Sequence, residues 1–336
     1  MDALMSFEFY NDIPRLPLAQ SPTPLVELKK LSDFLKGPRI FMKREDLSGF
    51  AMGGNKVRKF EFFMADALQK GADCCIAIGG IQSNHTRVTA ASALHCGLKT
   101  YLLLMGEKPS DVRGNLILDY LLGAEIVYVP EIFDFEGRLN SMRRLADNLK
   151  RDGKKPYVLP VVSPLGCIGP LMAMEETLKQ AEMINIHFSH QFVPVGSGET
   201  LVGLVMGVAF GEEELETVGV CIGRNKEQIT PILEDLIDKF KDLVRNQKKG
   251  SLKYPLLDAY LGKAGHPTKE GLDAIRLVAK TEGIFLDPIY TGKAMYAMID
   301  LIKKKRLNRT ENILFWNTSS PPIFFAFNDY LEHVRT

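Results

Sequence analysis

The chain has 336 residues, enough for roughly two domains sharing one cleft. Its 42 Lys+Arg against 41 Asp+Glu leave a formal net charge of +1, and 46% of residues are hydrophobic. These are ordinary globular values without a long basic block, so nucleic acid and an anionic membrane are excluded as the main partner.

The first 20 residues mix acids, prolines and apolar side chains and lack the basic-then-apolar order of an export signal. Five cysteines, at 74, 75, 96, 167 and 221, form no Cys-x-x-Cys pair and no zinc-like spacing with histidine. Reduced thiols in a cytoplasmic protein without a bound metal are the expectation. The uncharged stretch from Pro156 to Met174 approaches bilayer length, but Pro160, Pro164 and Pro170 argue against a spanning helix.

The first polar constellation is the charged turn Lys43-Arg44-Glu45-Asp46 followed by Gly53-Gly54-Asn55-Lys56-Val57-Arg58-Lys59. Two glycines before a lysine at a loop-to-helix junction let the backbone approach a ligand closely. A lysine desolvated or placed beside other cations has a lowered pKa suited to Schiff-base chemistry. Taken alone, a lysine is far more often solvated.

Short apolar runs ending in glycine turns then alternate with helical patterns, which predicts parallel strands joined by helical crossovers, an α/β protein. Cys74 to Ile78 reads as a buried strand, Gly79 to His85 as a loop, and Thr86 to His95 as a helix closed by Gly97. Within that loop, Gln82, Ser83, Asn84 and His85 form a run of polar side chains at a helix start. Capping by Ser83 or Asn84 explains part of it, and a bound carboxylate or ring oxygen explains the rest. Lys99 to Leu104 and Glu125 to Val129 follow as strands, with a helix ending between Asp119 and Gly123. A charged helix from Phe135 to Arg151 and a strand from Pro156 to Val162 complete this half.

Phe192 to Val195 reads as a strand entering Gly196-Ser197-Gly198-Glu199-Thr200, whose small residues suit a phosphate at the start of the next helix. No lysine follows, so it is not a P-loop, and Glu199 opposes a dianion unless it turns to solvent. Thr217 to Cys221 is a strand, Thr230 to Asn246 an amphipathic helix, and Lys269 to Glu282 another. Asp287-Pro288-Ile289-Tyr290-Thr291-Gly292-Lys293 reads as a strand-end loop leading to a helix, with Tyr290 either a polar wall or core packing. Asn312 to Phe315 is the last predicted strand, and Asn317-Thr318-Ser319-Ser320-Pro321 a polar turn after it. His187, His190, His266 and His333 have no partner at metal-ligand spacing, and the charge runs Asp238 to Lys249 and Lys303 to Arg306 read as solvated helix faces.

Together, Lys43 to Lys59, Gly79 to Arg87, the turn at Gly196 to Thr200 and Asp287 to Met295 resemble the D-cysteine desulfhydrase and 1-aminocyclopropane-1-carboxylate deaminase family. The resemblance runs from Thr23-Pro24-Leu25 to the Thr318 turn. It implies a pyridoxal 5′-phosphate enzyme of the two-domain tryptophan synthase β-like fold, known as fold type II. Residues 1–56 and 170–336 would form the larger domain and residues 57–169 a smaller inserted one. A homodimer acting on a small amino acid is expected.

Residue by residue, Lys56 matches the lysine that holds the cofactor covalently and moves the α-proton. Asn84 matches the partner of the cofactor's phenolic oxygen, and Gln82, Ser83 and His85 the loop that takes the substrate carboxylate, with Ser83 also catalytic. Gly196, Ser197, Gly198 and Thr200 match the phosphate loop, and Tyr290 the active-site tyrosine. Thr291 stands where deaminases carry a glutamate facing the pyridine nitrogen, and Thr318 where they carry a leucine. A neutral hydroxyl stabilises a protonated ring poorly, which favours loss of a β-thiol from D-cysteine over opening of a cyclopropane. The deaminase activity, and a cofactor-binding protein with altered catalysis, are the alternatives. Glu199, Pro170, Asn317, Ser319 and Ser320 depart from the family pattern, and Tyr260 is the one residue available for a second active-site tyrosine.

Overall fold

The computed structural model describes residues 10–132, 134–245 and 252–327. The first nine residues, the predicted helix end at Asn246 and His333 lie outside them. Two sheets carry the fold. A four-stranded parallel sheet in the order β5-β4-β3-β6 is built from β3 (Cys74–Gly80), β4 (Lys99–Met105), β5 (Glu125–Val129) and β6 (Pro156–Val158). A six-stranded sheet takes strands from both flanks in the order β1-β2-β10-β7-β8-β9. These are β1 (Leu25–Glu27), β2 (Arg39–Lys43), β7 (His190–Val195), β8 (Glu216–Cys221), β9 (Leu256–Leu257) and β10 (Asn312–Trp316). Among the described strands, only the edge pair β1–β2 is antiparallel.

Both sheets are covered on both faces, which is why their strands are continuous apolar runs. On one face of the smaller sheet, Met142, Ala146 and Leu149 of α5 (Phe135–Arg151) pack with Ile76 and Leu103. On the other, Phe60 and Phe63 of α2 (Lys56–Gln69) and Val88 of α3 (Asn84–His95) meet Cys75 and Leu102. The larger sheet is covered by α6 (Leu165–Met183), α7 (Glu199–Phe210) and α8 (Lys226–Leu243) on one face. Its opposite face carries α1 (Lys29–Leu35), α9 (Lys269–Glu282) and α10 (Thr291–Lys303). The remaining helix, α4 (Asn115–Leu121), is short and packs beside α3.

One expectation for the proline-rich stretch is corrected. The strand predicted to Val162 stops at Val158, since Pro160 has no N–H to give a ladder. Pro170 lies inside α6, and Gly203 of α7 leaves room for its ring. No strand precedes Asp287 either; the turn there is built by a buried side chain, described below. No described helix is long and apolar enough to cross a membrane.

Candidate functional site

Four of the polar loops leave the carboxyl ends of parallel strands, the usual place for a ligand in such sheets. They follow β2, β3, β7 and β10. Gly53 and Gly54 have φ of 69° and 97°, and a Cβ on Gly53 would lie 2.1 Å from the Asp46 carbonyl oxygen. Only glycine permits that path, which brings the start of α2 against the backbone oxygens of Thr318 and Ser319.

Lys56 is the first residue of α2, largely buried, and its ammonium has no hydrogen bond or ion pair among the described residues. Burial first, then the nearby Lys59 cation, lowers its pKa to about 7, against a smaller opposing pull from Glu199. A substantial fraction of Lys56 is therefore a neutral amine at neutral pH. His85, beside both lysines, is held neutral by burial and their charge.

Beneath the site lies a buried ion cluster. Arg58 donates to both oxygens of Glu45 at 2.9 and 3.0 Å and to Glu176 at 3.1 Å. Lys43, fully buried, donates to Glu176, Gln180 and the Thr23 carbonyl. The fork of Arg58 thereby pins α2 two residues from Lys56.

The loop after β3 is only partly free. Ser83 caps α3, its Oγ accepting from the His85 and Thr86 amides at 3.1 and 3.4 Å. Gln82 braces α4, its Nε2 donating to the Arg113 carbonyl and its Oε1 accepting from the Asn115 amide. Asn84 Oδ1 accepts from Asn115 Nδ2 at 2.8 Å, which leaves the Asn84 amide donor for a ligand oxygen.

Sequence reasoning missed Arg87. It is buried and donates to Asn84 Oδ1, Asn115 Oδ1, Ser320 Oγ and the Gly53 carbonyl, joining the loops after β2, β3 and β10. Its place one turn after Asn84 on α3 was the available signal. Ser320 in turn donates to the Met52 carbonyl at 3.2 Å.

At the turn after β7, Gly198 takes φ of 97° and no side chain caps the first amides of α7, leaving donors for an anion. Thr200 Oγ1 accepts from Asn55 Nδ2 at 2.8 Å. Glu199 does not turn to solvent. It is buried, paired with Lys59, and accepts from Ser197 Oγ at 2.9 Å and the Ser163 amide at 3.2 Å.

The remaining positions divide. Asp287, fully buried, accepts from the Ile289, Tyr290 and Thr291 amides and from Thr291 Oγ1 at 2.7 Å. Thr291 is 0% exposed and its hydroxyl proton is committed to that carboxylate. Thr318, by contrast, has a hydroxyl without a partner among the described residues and borders a small cavity with Asn55 and Thr200. Tyr290 also keeps an uncommitted hydroxyl, and burial raises its pKa to about 12, so it is a neutral phenol. Tyr260 is engaged elsewhere, its hydroxyl donating to Asp300 and its ring packed on Tyr296. No cluster of metal-binding side chains occurs among the described residues.

An unpaired amine of lowered pKa, an amide donor at Asn84 and an uncapped helix start fit an aldehyde cofactor bearing a phosphate, with the buried Glu199 carboxylate set against the phosphate. Comparison with known proteins names that cofactor. Residues 16–319 match the family described as pyridoxal-phosphate dependent enzyme. A D-cysteine desulfhydrase of Serratia proteamaculans is 38% identical, covering 94% of this chain and 96% of its own. A Pyrococcus horikoshii protein, provisionally named 1-aminocyclopropane-1-carboxylate deaminase, is 37% identical over 97% of both chains. The crystal structure of an ACC deaminase homologue superposes with a TM-score of 0.89 at 36% identity, covering 98% of both chains. Diaminopropionate ammonia lyase of Escherichia coli shares the fold at a TM-score of 0.65 and 17% identity, over 97% of this chain and 88% of its own. The chain belongs to the pyridoxal 5′-phosphate-dependent lyases of the D-cysteine desulfhydrase and ACC deaminase family, with the fold type II architecture.

Proposed function

We propose that the chain eliminates thiol from D-cysteine, giving pyruvate, ammonia and hydrogen sulfide. The observation that supports this reading is that Thr291, which holds no carboxylate, stands at the position matched to the deaminases' glutamate. Thr291 is locked to Asp287 and Thr318 offers a neutral hydroxyl. Relatives of both names support the wider class.

Lys56 would hold the cofactor, Asn84 would donate to its phenolic oxygen, and Thr200 and the first amides of α7 would surround its phosphate, beside Ser197, whose hydroxyl is held by Glu199. The cofactor, when bound, supplies an electron sink for the pair left at the α-carbon. Lys56, with a pKa near 7, accepts the α-proton at Nζ without being trapped as an ammonium. Neutral His85 and the Ser83 hydroxyl lie at the loop that would receive the substrate carboxylate. As the β-carbon–sulfur bond breaks, its electron pair leaves with sulfur, and Tyr290, a neutral phenol, is the proton donor we assign to it. The 2-aminoacrylate released then takes up water to give pyruvate and ammonia.

The test is product analysis with D-cysteine, L-cysteine and 1-aminocyclopropane-1-carboxylate as separate substrates. Pyruvate and sulfide in equal amounts from D-cysteine support the reading. Formation of 2-oxobutyrate from the cyclopropane with no sulfide from D-cysteine would assign the deaminase activity instead.

A further inference from the structure

The start of α7 already contains an anion. Glu199 is 1% exposed and Lys59 2% exposed, so their ion pair is buried. The carboxylate uses both oxygens: Oε2 takes the Lys59 ammonium and the Ser197 hydroxyl, and Oε1 takes the Ser163 amide at 3.2 Å. It also sits in a slot that only glycine leaves open, for a Cβ on Gly166 would lie 2.3 Å from Glu199 Oε1. Glu199 is the sole ion-pair partner of Lys59 among the described residues. Ser197 and Lys59 are thus spent on a side chain, at the turn where a phosphate dianion would seek them. A charge of about −1.5 to −2 brought beside a buried carboxylate is repelled, and desolvation makes the repulsion stronger than in water.

We propose that Glu199 is a resident competitor of the cofactor's phosphate for Lys59 and Ser197, so that this chain gains little affinity from the phosphate group while the pair is closed. The amides at the start of α7 and the Thr200 hydroxyl remain for the phosphate, and the aldehyde and ring ends carry the larger share of binding. The inference rests on the family's cofactor and on no choice of substrate, so it stands or falls independently of D-cysteine turnover.

The experiment compares pyridoxamine 5′-phosphate with pyridoxamine, which bind without a covalent link to Lys56 and differ only in the phosphate. Dissociation constants are measured by equilibrium dialysis for the wild-type protein, Glu199→Gln and Glu199→Gly. In the wild type the phosphate should improve affinity by less than about tenfold, a gain of under 1.4 kcal/mol. Glu199→Gln, which keeps the shape and removes the charge, should raise that ratio at least tenfold with pyridoxamine itself unchanged. Should Glu199→Gly fold poorly with Lys59 unpaired, Glu199→Gln and the wild-type ratio still decide. A wild-type ratio above about 100-fold, or a ratio that Glu199→Gln leaves unchanged or lowers, would overturn the proposal.

Discussion

Replacing Asp119 by Asn should stabilise the protein progressively as pH rises. Asp119 on α4 is 0% exposed, and among the described residues neither carboxylate oxygen has a close hydrogen-bond partner, the Thr86 hydroxyl lying near enough only to favour the charge weakly. Burial raises its pKa to about 7, the Arg87 cation opposing only in part. In the unfolded chain the same group titrates near 3.8 to 3.9. The folded state therefore binds the proton more tightly, and stability falls as pH rises from about 4 to about 7. A shift of roughly three units at about 1.4 kcal/mol each amounts to about 4 kcal/mol when the group is fully ionised. Between pH 5 and pH 8 the stability difference between Asp119→Asn and wild type should grow by roughly 2 to 3 kcal/mol in favour of the variant. Urea unfolding at pH 5, 6, 7 and 8 measures it, and the slope with pH is diagnostic because any packing offset is constant. A difference that stays flat, or that turns against the variant at pH 8, would refute the argument that this carboxylate is a buried charge only partly compensated by Arg87.

Four further outcomes are expected. Covalent capture of pyridoxal phosphate by the apoprotein needs neutral Lys56, so its rate should climb through about pH 7 and then level off, as stopped-flow absorbance would follow. Lys59→Met removes a cation that lowers that pKa and leaves Glu199 unpaired, so the midpoint should move to higher pH. Thr291→Glu should destabilise the fold by about 3–5 kcal/mol rather than confer deaminase chemistry, because a second carboxylate would be buried against Asp287; thermal unfolding reads this directly. Arg87→Met should cost a similar amount, about 3–5 kcal/mol in urea unfolding, since it strips Asp119 of its opposing charge and Asn84, Asn115 and Ser320 of a shared donor.

The elements that the sequence made legible are those with a clear period or a glycine punctuation. Strands β3, β4 and β5 are apolar runs bounded by turns, and α5 and α9 bury one stripe each. Helix α6 escaped because it is covered on several sides, by α2 and α7 among others, so its apolar residues show no period and its prolines mimic a break. The glycines before Lys56 marked a candidate lysine and the family resemblance gave it a role, but its lowered pKa comes from burial first and then from Lys59, against an opposing pull from Glu199, 143 residues further along the chain. The fate of Glu199 was equally hidden, since the cation that holds it in the interior comes from another helix. The hydrogen bonds that tie Thr291 to Asp287, and Gln82 to Arg113 and Asn115 at the start of α4, were not legible in the sequence. Arg87 needed the three loops assembled before its role could be seen.

The most direct test of Lys56 as the residue that holds the cofactor and moves the α-proton is borohydride reduction of the cofactor-loaded protein, followed by peptide mass mapping, with and without D-cysteine. The account predicts the cofactor's mass on the peptide containing Lys56, and loss of that label when D-cysteine is present during reduction. Label on Lys59 or Lys293 instead, or label on Lys56 that D-cysteine leaves untouched, would contradict it.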